Sequence, residues 1–218
     1  MHRLDSTTLG TKEYATKQYI HRTENRINEL LGCLSVEEKN LYSLVTDNGI
    51  LFERIIKKVK GNIGFLVPEK LVTVHGQLGP AHIIKKNDGK IKLIDPKGIS
   101  VLHDEIIDSV KLGKAILYNT EWLETGSYLP ISIEKIERGN TELKILKPLL
   151  TPYHLFDTMM SGIYERVDAD FRFKMHLAIL IDLVGGLPFA YATNGIERTI
   201  ALTMQIRKCL NEMEDIYE

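Results

Sequence analysis

The stretch LVTVHGQLGPAHIIKKNDGKIKLIDPKG, residues 71–98, constrains this chain more than any other. An apolar run ends in His75-Gly76, and a polar loop rich in Gly and Pro follows. Next come a short apolar pair, Ile83-Ile84, an Asn87-Asp88-Gly89 turn, and a strand from Lys90 to Ile94 delivered straight into Asp95. Two strand-like pieces joined at an Asn-Asp-Gly turn predict a β-hairpin, and a hairpin fixes the loops at its two ends relative to each other. The loop at 75–82 and the carboxylate of Asp95 are therefore expected side by side.

At these residues the chain resembles the catalytic segment of the aminoglycoside phosphotransferase family, small-molecule kinases with a protein-kinase-like fold. There a loop H-G-D-x-x-x-x-N is followed by a hairpin and then by I-D-P/F-x-G. Here the loop reads His75-Gly76-Gln77-Leu78-Gly79-Pro80-Ala81-His82, and the second motif reads Ile94-Asp95-Pro96-Lys97-Gly98. The resemblance implies an α+β, mostly helical fold: a protein-kinase-like C-lobe with a catalytic-loop β-hairpin and a helical layer. It also implies ATP-dependent phosphoryl transfer to a small-molecule hydroxyl, with ATP and magnesium as cofactors.

In that family the loop Asp accepts or orients the proton of the substrate hydroxyl. The loop Asn and the Asp of the second motif hold magnesium on the nucleotide phosphates. By position, Gln77 stands at the catalytic Asp and His82 at the metal-binding Asn, while Asp95 keeps its residue type as a metal ligand. Gln has no titratable carboxylate, so it orients a hydroxyl without taking its proton near pH 7. Imidazole suits zinc or copper better than magnesium, which favours oxygen. His75 is expected as structural support, its ring bonded to backbone near Asp95, and Lys97 as an anion contact on the nucleotide side. Read without the resemblance, Asp95 is a turn residue capping its own backbone and Lys97 an exposed turn lysine. Further on, Asp104 and Asp108 match a D-P-x-x-D-L-A-like pattern whose second Asp buttresses the catalytic loop. The same two carboxylates also read as an acidic first helical turn.

The rest of the chain reads as helices around this segment, in a single domain over residues 1–218. Residues 1–10 form a loose polar terminus. Tyr14, Tyr19, Ile20, Ile27, Leu30 and Leu31 recur at helical spacing over 11–31. Ser35-Val36-Glu37-Glu38 has capping-box form, and the helical pattern it opens runs to Gly61, with a break at Asp47-Asn48-Gly49. A helix is expected from His103 to about Asn119, a β-hairpin over 128–147 and a helix from Thr151 to about Val167. An apolar helix over 171–184 should form the buried centre of the helical layer, with a last helix from about Asn194 to Glu214. The residues before His75 read as helices, so no smaller nucleotide-covering N-lobe is expected within the chain. Tyr118, Trp122 and Tyr128 read as packing residues or as an aromatic wall near a pocket. His154, Asp157, His176 and Asp182 lie on helices without an i, i+4 pair of histidines.

With Lys+Arg 28 against Asp+Glu 29, the chain offers no electrostatic case for nucleic acid or an anionic membrane surface. Cys33 and Cys209 lie far apart without metal-ligand spacing, and no stretch has the length of a spanning helix, so a cytoplasmic protein with free thiols is expected. Two functions stay open. One is phosphoryl transfer from ATP to a small-molecule hydroxyl, impaired at positions 77 and 82. The other is an inactive, pseudokinase-like or truncated lobe that binds a small molecule, a separately encoded N-lobe or a second copy of itself.

Overall fold

The computed structural model describes residues 10–97, 102–118, 120, 158, 160–162, 164 and 167–217. The terminus before Gly10, the expected hairpin at 128–147, most of the helix expected from Thr151, Gly98, Trp122 and Tyr128 lie outside these residues. The described part is mostly helical with two small antiparallel sheets.

Helix α1 (Thr11–Ala15) passes through a π-helical turn, Thr16–His21, into α2 (Arg22–Cys33). The predicted apolar stripe faces inward, with Tyr14, Tyr19, Ile27 and Leu30 buried. Helix α3 (Val36–Val45) opens on a reciprocal cap: the Glu38 N–H donates to the Ser35 hydroxyl at 3.2 Å, and the Ser35 N–H donates to the Glu38 carboxylate at 2.9 Å. Asp47, Asn48 and Gly49 all have positive φ and turn the chain into α4 (Ile50–Gly61). Asp, Asn and Gly tolerate that conformation best, which is why the break was visible in the sequence.

Strand β2 (Ile83–Lys85) pairs antiparallel with β3 (Ile91–Leu93), in register Ile83 to Leu93. Their turn closes through the Lys86 N–H donating to the Lys90 carbonyl at 2.8 Å. A second pair, β1 (Leu71–Val72) with β4 (His103–Asp104), was not anticipated. The helix expected from His103 starts instead at Ile107, as α5 (Ile107–Tyr118), because Asp104 is held elsewhere. Its fully buried carboxylate accepts the Ile106 N–H at 3.2 Å and the Tyr19 hydroxyl at 3.0 Å, with Lys174 Nζ 3.4 Å away. Two-residue strands carry no periodicity to read.

Helix α6 (Ala169–Gly185), capped by the Asp168 side chain on the Phe171 N–H, is buried without interruption from Met175 to Val184. It is the centre of the helical layer, as its continuous apolar sequence predicts. Helix α7 (Leu187–Tyr217) is two helical segments joined at a kink, and the first, from Leu187, was not anticipated. Pro188 sits in its first turn, where a missing N–H costs nothing. Asn194 and Gly195 have non-helical dihedrals, with φ of +68° at Gly195, so the last helical segment begins after this step, about where the sequence places it. Helices α2, α5 and α7 pack on α6, and the Tyr42 hydroxyl ties α3 to Thr203 of α7 at 2.6 Å. Among the described residues no single helix is long and apolar enough to cross a membrane. Cys33 is exposed and Cys209 buried, both as free thiols.

Candidate functional site

The loop and the hairpin end are locked together through backbone groups. Asp108, in the first turn of α5, accepts the His75 N–H on Oδ2 and the Gly76 N–H on Oδ1, both at 2.8 Å. The His75 ring donates from Nε2 to the Ile94 carbonyl at 2.7 Å, a bond that assigns the proton to that nitrogen. The Lys97 N–H returns to the His75 carbonyl at 2.7 Å, and the Ile94 N–H reaches the His82 carbonyl at 3.0 Å. The backbone bonds at 94 and 97 bracket Asp95, which is held at φ +56°. A left-handed residue other than Gly costs on the order of 1 kcal/mol and persists only when its surroundings impose it.

Within this frame the side chains gather as the hairpin argument requires. The rings of His75 and His82 lie 5.7 Å apart, and His82 Nε2 is 3.9 Å from Asp95 Oδ2. Lys97 Nζ is 3.8 Å from the same oxygen. These separations are too long for hydrogen bonds, so both groups act on Asp95 as electrostatic neighbours. The Asp95 side chain is 59% exposed, and Gln77 is also exposed.

Beneath the loop, α2 and α5 leave an open cavity of about 200 Å³. Gly76 forms part of its wall, and its polar lining comprises Gln18, Arg22, Lys97, His103, Lys111 and Asp182. Gln77, His82 and Asp95 do not line it. Asp182, on the buried helix α6, gathers Lys111 Nζ at 2.5 Å, Lys114 Nζ at 2.9 Å and Arg22 Nη2 at 3.8 Å. Burial alone would push the Asp182 carboxyl up, but Lys114 and Lys111 outweigh it and hold the group well below the ordinary carboxylate range. Burial pulls the Lys111 amine below its usual value; Asp182 opposes this, and Lys114 and Arg22 add to it. The His103 ring is lowered in the same way by burial, with Asp108 opposing and Arg22 adding to it.

No family model, no curated protein and no solved structure matches this chain. What the site can do rests on its own geometry.

The magnesium implied by the resemblance fits these residues poorly. Magnesium takes oxygen ligands in a near-octahedral shell. Here one exposed carboxylate faces an imidazole, and an ammonium already stands where a cation would approach. Among the described residues no group of three or more His, Cys, Asp or Glu side chains is arranged to hold a metal ion.

Four sequence-selected residues, His75, His82, Asp95 and Lys97, thus come together, on a loop held by Asp108, and Gln77 is exposed on that same loop. Arg22, Lys111 and Asp182 escaped notice as a group because they come from three separate helices. One signal was readable: a lone Asp inside the continuous apolar run 177–184 must be paired to be buried at all.

Proposed function

We propose that this chain is a kinase-like lobe of the aminoglycoside phosphotransferase type, in which phosphoryl transfer from ATP to a small-molecule hydroxyl is impaired. The carrying observation is the double grip of Asp108 on the His75 and Gly76 N–H groups, both at 2.8 Å. Together with the His75 bond to Ile94, it fixes a catalytic-type loop against the residue that follows the hairpin. On this reading the loop keeps the backbone frame of a transfer site, and the group that should take the proton is an amide.

A general base contributes typically about 10²- to 10⁴-fold to rate. The double variant Gln77→Asp, His82→Asn should therefore raise magnesium-dependent ATP turnover by about 100-fold or more over the native chain. A folded double variant with no gain refutes the transfer reading. Thermal shift in ATP with magnesium gives a second readout: a nucleotide at 100 times its Kd adds about 2.7 kcal/mol.

A second reading is an inactive binding module, favoured by Lys97 and His82 both standing close to the same Asp95 oxygen, at 3.8 and 3.9 Å. The protein's own side chains already serve that carboxylate, and this reading expects no turnover from either chain.

A further inference from the structure

Three cations share the single carboxylate of Asp182, so two positive charges remain over. Lys114 reaches it from the side of a smaller cavity of about 80 Å³. Arg22 and Lys111 reach it from the larger cavity, whose lining adds Lys97. Of the other described carboxylates nearby, Asp108 is committed to the two loop N–H groups and Asp104 to Tyr19 and Lys174, while Asp95 lies outside the lining, 3.8 Å from Lys97 Nζ and too far to hydrogen-bond it. At 3.8 Å Arg22 makes no hydrogen bond to Asp182, so its donor fork is not spent there. Gly185 lets that guanidinium lie against the last turn of α6, since a Cβ at this position would sit 3.2 Å from Arg22 Nη2. A planar fork flanked by ammonium point charges matches the oxygens of a phosphate. The volume, about 200 Å³, equals roughly seven waters of liquid at ~30 Å³ each, more than a bare phosphate needs.

We propose that this cavity binds the phosphate group of a small phosphate monoester, held by Arg22, Lys111 and Lys97. A monoester carries nearly two negative charges at pH 7 and so answers the excess around Asp182, whereas a carboxylate answers half of it. The carbon portion fills the remaining space toward Gly76. The site stands on these charges and does not depend on the transfer reading.

The test is calorimetric titration of the full chain with glycerol 3-phosphate at fixed ionic strength, with EDTA present to keep it independent of any magnesium-dependent turnover. Inorganic phosphate and glycerate are titrated in parallel. Saturable binding of the monoester is expected, at least threefold tighter than inorganic phosphate and tenfold tighter than glycerate. Arg22→Gln should weaken it at least tenfold. Lys97→Gln, at a side chain 58% exposed and harmless to folding, should weaken it at least threefold. Lys60→Gln, on α4 and paired with Glu24, should leave it unchanged. Absence of saturable binding overturns the proposal, as does glycerate or inorganic phosphate binding equally well. Native affinity in the Arg22 and Lys97 variants also overturns it.

Discussion

Replacing Asp108 with Ala tests whether the loop frame depends on one carboxylate. The side chain accepts two backbone N–H groups at 2.8 Å, and bonds to a charged acceptor are worth about 1.5–3 kcal/mol each. The full sum is not expected, because Gly76 is only half-buried and water can replace one partner. His75 is buried, so its N–H would be left without an acceptor. Adding the acidic first turn of α5, worth about 0.3–1 kcal/mol, the loss is about 2–4 kcal/mol. For a chain of this size that lowers Tm by roughly 4–16 °C, at ~2–4 °C per kcal/mol. Asp108→Asn should cost nearly as much, since its amide NH₂ must face one of the two N–H donors. Hydrogen exchange locates the effect: the His75 and Gly76 amides should lose protection while the α6 amides follow only global stability. A folded Ala variant within 1 °C of the native Tm, or one whose 75 and 76 amides stay protected, refutes the reasoning.

Asp182→Asn leaves Arg22, Lys111 and Lys114 without their common counter-charge, and breaking such a buried set costs about 3–5 kcal/mol in Tm measurements. The pH dependence follows from the sign of its shift. The folded carboxyl lies below the ordinary 3.8, so its stabilisation is complete above about pH 4 and drains away as pH falls further. Tm plotted against pH should therefore fall more steeply below pH 4 in the native chain than in Asp182→Asn. Burial pushes the Cys209 thiol up to about 12, whereas Cys33 is exposed. Iodoacetamide should label Cys33 in the native state and reach Cys209 only on unfolding, as read by mass spectrometry of the peptides.

Legibility of the chain followed the length scale of the signal. The capping box at Ser35, the left-handed turn at 47–49 and the Asn-Asp-Gly hairpin are local devices, each written in a few adjacent residues, and each appears where read. The apolar run of α6 was legible because a helix buried all round needs no particular phase. The β1–β4 pair was not, since two residues on each side are too short for a period and their partners lie about thirty positions apart. The short helical segment from Leu187 to the kink was missed because Gly185-Gly186 and Pro188 read as one stop, although Pro in a first turn opens a helix as readily as it closes one. The cavity was invisible for a deeper reason. Its cations come from α2, α5 and the segment after β3, and only the packing of α6 shows that Arg22 and Lys111 share a carboxylate.

The loop itself explains how its chemistry and its shape could part. The bonds that define its shape run through the backbone of residues 75, 76, 82, 94 and 97, with only the His75 ring and the Asp108 carboxylate contributing side chains. Gln77 is absent from that set, and His82 enters it only through its carbonyl and its N–H, the latter on Gly79 at 2.9 Å. A substitution at 77 or 82 therefore removes no bond that holds the loop. Positions 77 and 82 can change without loss of the loop's shape, whereas the positions that hold the frame cannot. The double variant at 77 and 82 should accordingly fold as the native chain does, with a Tm change far smaller than that of Asp108→Ala. Its turnover then reports chemistry alone, and any large loss of stability in it would mean that the frame depends on side chains which the hydrogen-bond pattern assigns no part in holding it.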